Sequence, residues 1–177
     1  DDAISIGGFY TRRVFRILPL FYAVLTVVAL LTVLVGLGSG SVDLWATLAQ
    51  YGHISNYWTI TQTTRPVLDG TGVYWSLAVE EHFYLAFPLL FAWMNRARLT
   101  YARQGWVLAA ICAAVLAWRC VLVVGFDVAE FRTYYATDTR IDSILIGCVL
   151  ALVANPMLDR IPDSAVLFRR AVAAAAV

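Results

Sequence analysis

Long apolar blocks separated by short polar stretches dominate this chain, with little of the two-residue alternation that marks half-buried strands. A helix needs about 20 apolar residues to cross the roughly 30 Å hydrocarbon core of a bilayer. Residues 18–37, 76–94 and 106–125 meet that length, residues 140–154 are a shorter case, and residues 168–177 begin a fifth block. Residues 43–61 interleave Trp45, Leu48, Tyr51, Ile54, Tyr57 and Trp58 with Gln50, His53, Ser55 and Asn56. That mixture reads as interfacial, re-entrant, or an additional span, where irregular backbone must find partners within protein. The expected fold is an all-α integral membrane protein, a polytopic transmembrane helix bundle forming one domain over residues 1–177 and incomplete at both ends.

Local signals refine these blocks. Thr139 with Asp142 has the capping-box spacing, and Asn155-Pro156 should stop the helix that follows. Pro88 should kink the second span, because it cannot donate to the Tyr84 carbonyl. If residues 43–61 do not cross, the arginines segregate. Arg12, Arg13, Arg16, Arg96, Arg98, Arg103, Arg160, Arg169 and Arg170 then share one side, and Arg65, Arg132 and Arg140 the other. The positive-inside rule places the first group in the cytoplasm. Trp45, Trp58, Trp75 and Trp106 suit an interfacial aromatic belt.

Composition supports the membrane class: 61% of the 177 residues are hydrophobic and only 14% charged, against about half and a quarter in soluble domains. A net charge of +1 gives no field for nucleic acid. Cys112, Cys120 and Cys148 sit in apolar blocks without metal-ligand spacing and read as small hydrophobes, so no metal is expected. The chain starts at Asp1 and ends at Val177 inside an apolar run, which reads as a piece of something longer, without a signal peptide.

Candidate chemistry follows from the cost of charge in lipid, about 2.5–3.5 kcal/mol for an ionised side chain at mid-membrane. Glu80, Glu81 and His82 lie about one turn inside the second span and need a counter-charge, a wet cavity or protonation. Glu80 shares a helix face with Ser76 and Tyr84, and Glu81 shares one with Tyr84 and Pro88. A desolvated carboxylate there suits proton exchange with a hydroxyl. Arg140 and Asp142 open the fourth span at similar depth, so a Glu–Arg140 pair is the expected way to house both charges. Arg12, Arg13 and Arg16 precede Pro19, where they act as topology determinants or grip donor phosphates. Arg119, deep in the third span, requires a partner that spacing does not identify, and His53 reads as a hydrogen-bonded interfacial residue.

Three motifs together resemble the membrane-bound acyltransferase 3 family, whose members O-acylate bacterial surface polysaccharides, peptidoglycan, lipids and secreted metabolites. They are Phe9-Tyr10-Thr11-Arg12-Arg13-Val14-Phe15-Arg16-Ile17-Leu18-Pro19, Tyr74-Trp75-Ser76-Leu77-Ala78-Val79-Glu80-Glu81-His82-Phe83-Tyr84-Leu85, and Thr137-Asp138-Thr139-Arg140-Ile141-Asp142-Ser143 with Gly147. The resemblance runs over residues 9–152, and the second string is the most specific. It implies a multi-pass protein of the bacterial inner (plasma) membrane that uses acyl-coenzyme A, usually acetyl-CoA, as donor substrate and binds no cofactor tightly. The implied acceptor is a carbohydrate or lipid-linked hydroxyl. By this carry-over Glu80 and Glu81 are catalytic, Arg140, Asp142, Ser76 and Tyr84 bind substrate, and Arg12, Arg13 and Arg16 lie on the donor side. His82 stands where the family more often has Gln. The family's essential histidine belongs to a helix expected upstream of Asp1, so this stretch alone is expected to be inactive. The rival readings are a transporter or polysaccharide-export component, in which the same charges form a pathway, and a truncated non-catalytic remnant.

Overall fold

A computed structural model describes residues 5–38, 42–62, 64 and 66–153. The regular elements among them are helical. Helix α1 (Ile6–Val35) is capped by Ser5, whose hydroxyl accepts from the Gly8 amide, and ends at Gly36 with φ of 71°. That left-handed position is one glycine adopts without steric cost. The apolar block expected at 18–37 is thus the second half of a longer helix. The helix starts a full three turns earlier, because nothing in the Arg12-Arg13-Arg16 stretch breaks it, and it runs on through Pro19.

Residues 43–61 do not form one span. They fold as α2 (Leu44–Tyr51), capped by Asp43, and α3 (Ser55–Thr61), separated by a turn at Gly52 and His53. At 1.5 Å per residue each helix is only about 10–12 Å long, well short of a bilayer core. Gln50 ties this hairpin to the next loop, its Nε2 donating to the Thr71 hydroxyl at 2.6 Å.

Helix α4 (Tyr74–Arg96) runs through Pro88 as one helix. Beside the proline, the Leu85 carbonyl accepts the Tyr10 hydroxyl at 2.7 Å. A tight turn leads into α5 (Tyr101–Cys120), which continues as one wider turn over Val121–Gly125. The short α6 (Glu130–Tyr135) then precedes α7 (Thr137–Val153). Helix α7 begins before the expected cap: Thr139 lies inside it, and its hydroxyl donates to the Thr133 and Ala136 carbonyls. The stop at Asn155-Pro156 and the block at 168–177 lie outside the described residues.

Helices α5 and α7 make the most extensive pairing. With α4 they enclose a core of Phe83, Met94, Leu108 and Leu145, against which Cys112 and Cys148 pack as small apolar groups. A second core joins α1 to the α2 region through Phe21, Leu25 and Leu68. Among the described residues two helices, Ile6–Val35 and Tyr101–Gly125, are long and apolar enough to cross a membrane, and only 17% and 11% of their most apolar stretches are buried. Helices α4 and α7 occupy the other two expected spans but carry Glu80, Glu81, Arg140 and Asp142, and they fall outside that apolar class.

Candidate functional site

Helices α1 and α4 run antiparallel and in step: Tyr10 meets Leu85, Arg13 meets Glu81 and Tyr84, and Phe21 meets Tyr74. The Arg13 guanidinium carbon stands 3.0 Å above the centre of the Tyr84 ring, a cation–π contact whose strength grows as water is removed. The Arg13 and Glu81 side chains approach to 3.9 Å, too far for a hydrogen bond. Arg13 Nε and Glu81 Oε1 are both buried without a hydrogen-bond partner. The two charges attract without a direct hydrogen bond between them. Arg13 therefore stands beside Glu81 and Tyr84. Arg12 and Arg16, on the outward face of α1, are exposed.

Successive helical residues point about 100° apart, so Glu80, Glu81 and His82 fan across three sides of α4. Glu81 faces α1 and His82 faces α7. Glu80 takes the remaining side, half-buried, above the exposed Ser76, whose hydroxyl donates to the Val73 carbonyl at 3.0 Å. Among the described residues Glu80 makes no hydrogen bond or ion pair.

The third direction leads into a polar junction. Asn56 donates from Nδ2 to the Tyr135 carbonyl at 3.3 Å and to Thr137 Oγ1 at 2.9 Å. A carbonyl only accepts, which fixes the orientation of the Asn56 amide. Thr137 is left with its own proton to give to His82 Nδ1, 2.8 Å away. A neutral His82 consequently carries its proton on Nε2. His53 lies against the same junction, its ring stacked on Phe21 at 4.5 Å between centroids. Its backbone faces the His82 ring as a hydrogen-bond partner, while its own Nε2 is buried without one. Burial, reinforced by the nearby His82, holds the His53 imidazole below its usual range, so it is neutral at pH 7.

On α7 the charges choose partners other than the expected ones. Arg140 does not reach a glutamate; its guanidinium lies 5.8 Å from the Trp75 ring centre and 4.8 Å from that of Tyr134. Aromatic rings occupy its faces and leave its edge donors unclaimed among the described residues. Asp142 chelates Arg119, both carboxylate oxygens 2.8 Å from the same nitrogen, and that nitrogen also donates to the Thr139 carbonyl. Here is the partner Arg119 required. Asp138 completes the α5–α6–α7 corner by accepting from Arg132 at 2.8 Å and from Trp118 Nε1 at 2.9 Å.

The structure thus brings together Arg13, Glu81 and Tyr84, and places Arg140 and Asp142 on α7 among other partners. His53, Asn56 and Thr137 were missed as a group. Their signal, polar residues scattered among tyrosines and tryptophans in residues 53–58, was visible, but their meeting with His82 depends on how α3 lies against α4 and α7.

Comparison with known proteins bears on the same residues. The chain is similar to the O-acetyltransferase OatA of Staphylococcus aureus, 26% identical over 158 residues, covering 86% of this chain and 26% of that protein. It is likewise similar to the peptidoglycan O-acetyltransferase OatA of Listeria monocytogenes, 28% identical over 164 residues, covering 86% of this chain and 25% of that protein. The chain therefore spans about a quarter of the length of the curated relatives it matches. No solved structure matches it. The family model described as an acyltransferase domain matches residues 3–177, a stretch that holds all three motifs and both ends of the Arg13–Glu81 contact, and the chain belongs to this acyltransferase 3 family.

Proposed function

We propose that this chain is part of a multi-pass O-acyltransferase of the bacterial inner membrane. It moves an acetyl group from acetyl-coenzyme A to a hydroxyl of a cell-surface carbohydrate. The observation that carries the reading is the Arg13–Glu81 pair, half-satisfied at 3.9 Å between two helices of an otherwise apolar bundle. A purely structural ion pair closes to hydrogen-bond distance, as Arg119–Asp142 does at 2.8 Å. A pair held without a hydrogen bond leaves the Glu81 carboxylate free of a donor from Arg13. The printed names of the relatives, O-acetyltransferase and peptidoglycan O-acetyltransferase, support the reaction class and a cell-wall polymer as acceptor.

In this reading Glu81, or Glu80, receives the acceptor hydroxyl proton as the hydroxyl oxygen attacks the acyl carbonyl. The carbon–sulfur bond breaks, an oxygen ester forms, and the coenzyme A thiol leaves with a proton. Arg140, whose edge donors have no hydrogen-bond partner among the described residues, steadies the developing carbonyl charge or an acceptor carboxylate. Tyr84 and Ser76 line the approach to the two glutamates, and Asp142 holds the wall by fixing Arg119. Arg12 and Arg16 offer exposed guanidinium groups to donor phosphates, with Arg13 linking them to Glu81.

The test is the full-length protein in lipid vesicles, supplied with radiolabelled acetyl-coenzyme A and a soluble oligosaccharide. Labelled ester on the sugar, with free thiol released in equal amount, is the expected result. Gradient-driven flux without thiol release replaces this reading with a transporter. The membrane part is tested by cysteine labelling. Arg98→Cys and Asp127→Cys, at the two exposed ends of α5, should react with an impermeant reagent from opposite sides, Arg98→Cys from the cytoplasm. Reaction of both from one side excludes α5 as a span.

A further inference from the structure

Residues 82–126 hold Arg96, Arg98, Arg103 and Arg119 and no aspartate or glutamate. Arg119 is claimed by Asp142. The other three gather at the tight turn between α4 and α5, where all are exposed and none makes an ion pair among the described residues. The turn is fixed from within. Gln104, 1% exposed, donates from Nε2 to Asn95 Oδ1 at 2.9 Å and to the Leu99 carbonyl at 3.0 Å. Arg98 takes the left-handed position that ends α4, its amide on the Asn95 carbonyl at 2.9 Å. Each helix also carries an exposed tryptophan one turn away from its arginine, Trp93 before Arg96 and Trp106 after Arg103, 57% and 76% exposed. Residues three apart share a helix face, so each ring lies about 4.5 Å further from the turn than the arginine beside it.

Depth narrows what these arginines meet. From Trp106 to the exposed Phe126, twenty residues along, α5 covers about 30 Å, the thickness of a hydrocarbon core. With Trp106 at one boundary of that core, the two indole rings lie where a bilayer favours tryptophan, at the edge of the acyl chains. The three guanidinium groups then stand just outside, at the level of the lipid phosphates, which arginine grips with paired N–H donors. A soluble phosphate ester would use the arginines and gain nothing from the rings, whereas a phospholipid meets both. Positive charge that no acidic side chain offsets selects a headgroup of net negative charge over a zwitterionic one. Arg96 stands about 22 Å along α4 from Glu81, so this turn is separate from the Arg13–Glu81 pair. We propose that the α4–α5 turn, with Arg96, Arg98 and Arg103 backed by Trp93 and Trp106, binds the headgroup of an anionic phospholipid in the cytoplasmic leaflet. This rests on the reading of α5 as a membrane span, and it can be measured without turnover.

The experiment is calorimetric titration of the purified full-length protein, in micelles of a neutral maltoside detergent, with short-chain phosphatidylglycerol and with phosphatidylcholine of the same chain length. Wild type should bind phosphatidylglycerol saturably and prefer it over phosphatidylcholine. Arg96→Gln, Arg98→Gln and Arg103→Gln should each weaken phosphatidylglycerol binding about fivefold, the share of one arginine at an anionic surface, and the triple variant should bind the two lipids alike. Equal affinity of wild type for both lipids overturns the proposal, as does a folded triple variant that keeps the preference; if the triple variant fails to fold, the single variants decide. Trp93→Leu/Trp106→Leu keeps every charge and should also weaken lipid binding. Unchanged affinity in that variant, or displacement of the lipid by equimolar acetyl-coenzyme A, assigns the arginines to a soluble phosphate and overturns the proposal. Failure of the membrane reading is distinguishable. Labelling of both ends of α5 from one side removes the span and the proposal with it, whereas labelling from opposite sides with the lipid preference unmoved in the triple variant overturns the proposal alone.

Discussion

Glu81→Gln in the full-length protein is expected to lower acyl transfer by at least about a hundredfold, the lower end of the 10²–10⁴ range for a positioned general base. The substitution keeps shape and removes charge and basicity. Because the Arg13–Glu81 approach is 3.9 Å and involves no hydrogen bond, insertion and folding should survive, and the loss should appear in turnover. Glu80→Gln tests the alternative base. Glu80 has no partner among the described residues, so its replacement costs no structural contact, and any loss of rate reports chemistry. The measurement is the initial rate of ester formation at matched protein levels. Wild-type rates in both variants would remove the glutamates from the mechanism and reduce the family resemblance to shared architecture.

Asp142→Ala is expected to destabilise the bundle by about 3 kcal/mol, the cost of stranding one member of a buried ion pair. Asp142 is mostly buried and chelates Arg119 with both oxygens at 2.8 Å. Its removal leaves the guanidinium to the Thr139 carbonyl between the two most closely packed helices. The double variant Arg119→Leu/Asp142→Leu should recover most of the loss, since an apolar pair of similar volume often replaces an internal salt bridge at little cost. Unfolding midpoints in detergent, followed by helical circular dichroism, check both. A double variant no more stable than Asp142→Ala would show that volume at the α5–α7 seam, and not the stranded charge, sets the cost.

Much of the helical layout was legible because its physics is one-dimensional. The apolar blocks gave helices at each expected place within the described residues, while the mixed polarity of residues 43–61 left three readings open until the structure folded them as two short helices. Starts and ends were less legible. Nothing between Ile6 and Ile17 breaks a helix, so the apolar boundary at Leu18 marks where lipid-like surface begins and says nothing of where the helix does. The capping pattern at Thr139 and Asp142 was overridden because Thr139 finds the Ala136 and Thr133 carbonyls, while Asp142 is claimed by Arg119. Such competition involves residues on other helices, and local spacing is blind to it.

The order of polar and apolar residues determined on its own that this chain is helical, rich in surface suited to lipid, and burdened with charges inside apolar segments that demand compensation. The three motifs determined its family. Tertiary structure alone decided who compensates whom: Glu81 turns to Arg13, Arg119 to Asp142, Arg140 to two aromatic rings, and His82 to Thr137. The reason is geometric. A helix assigns each residue a direction about 100° from the last, but which neighbour stands in that direction depends on how separate helices dock, and docking is set by packing across the whole bundle.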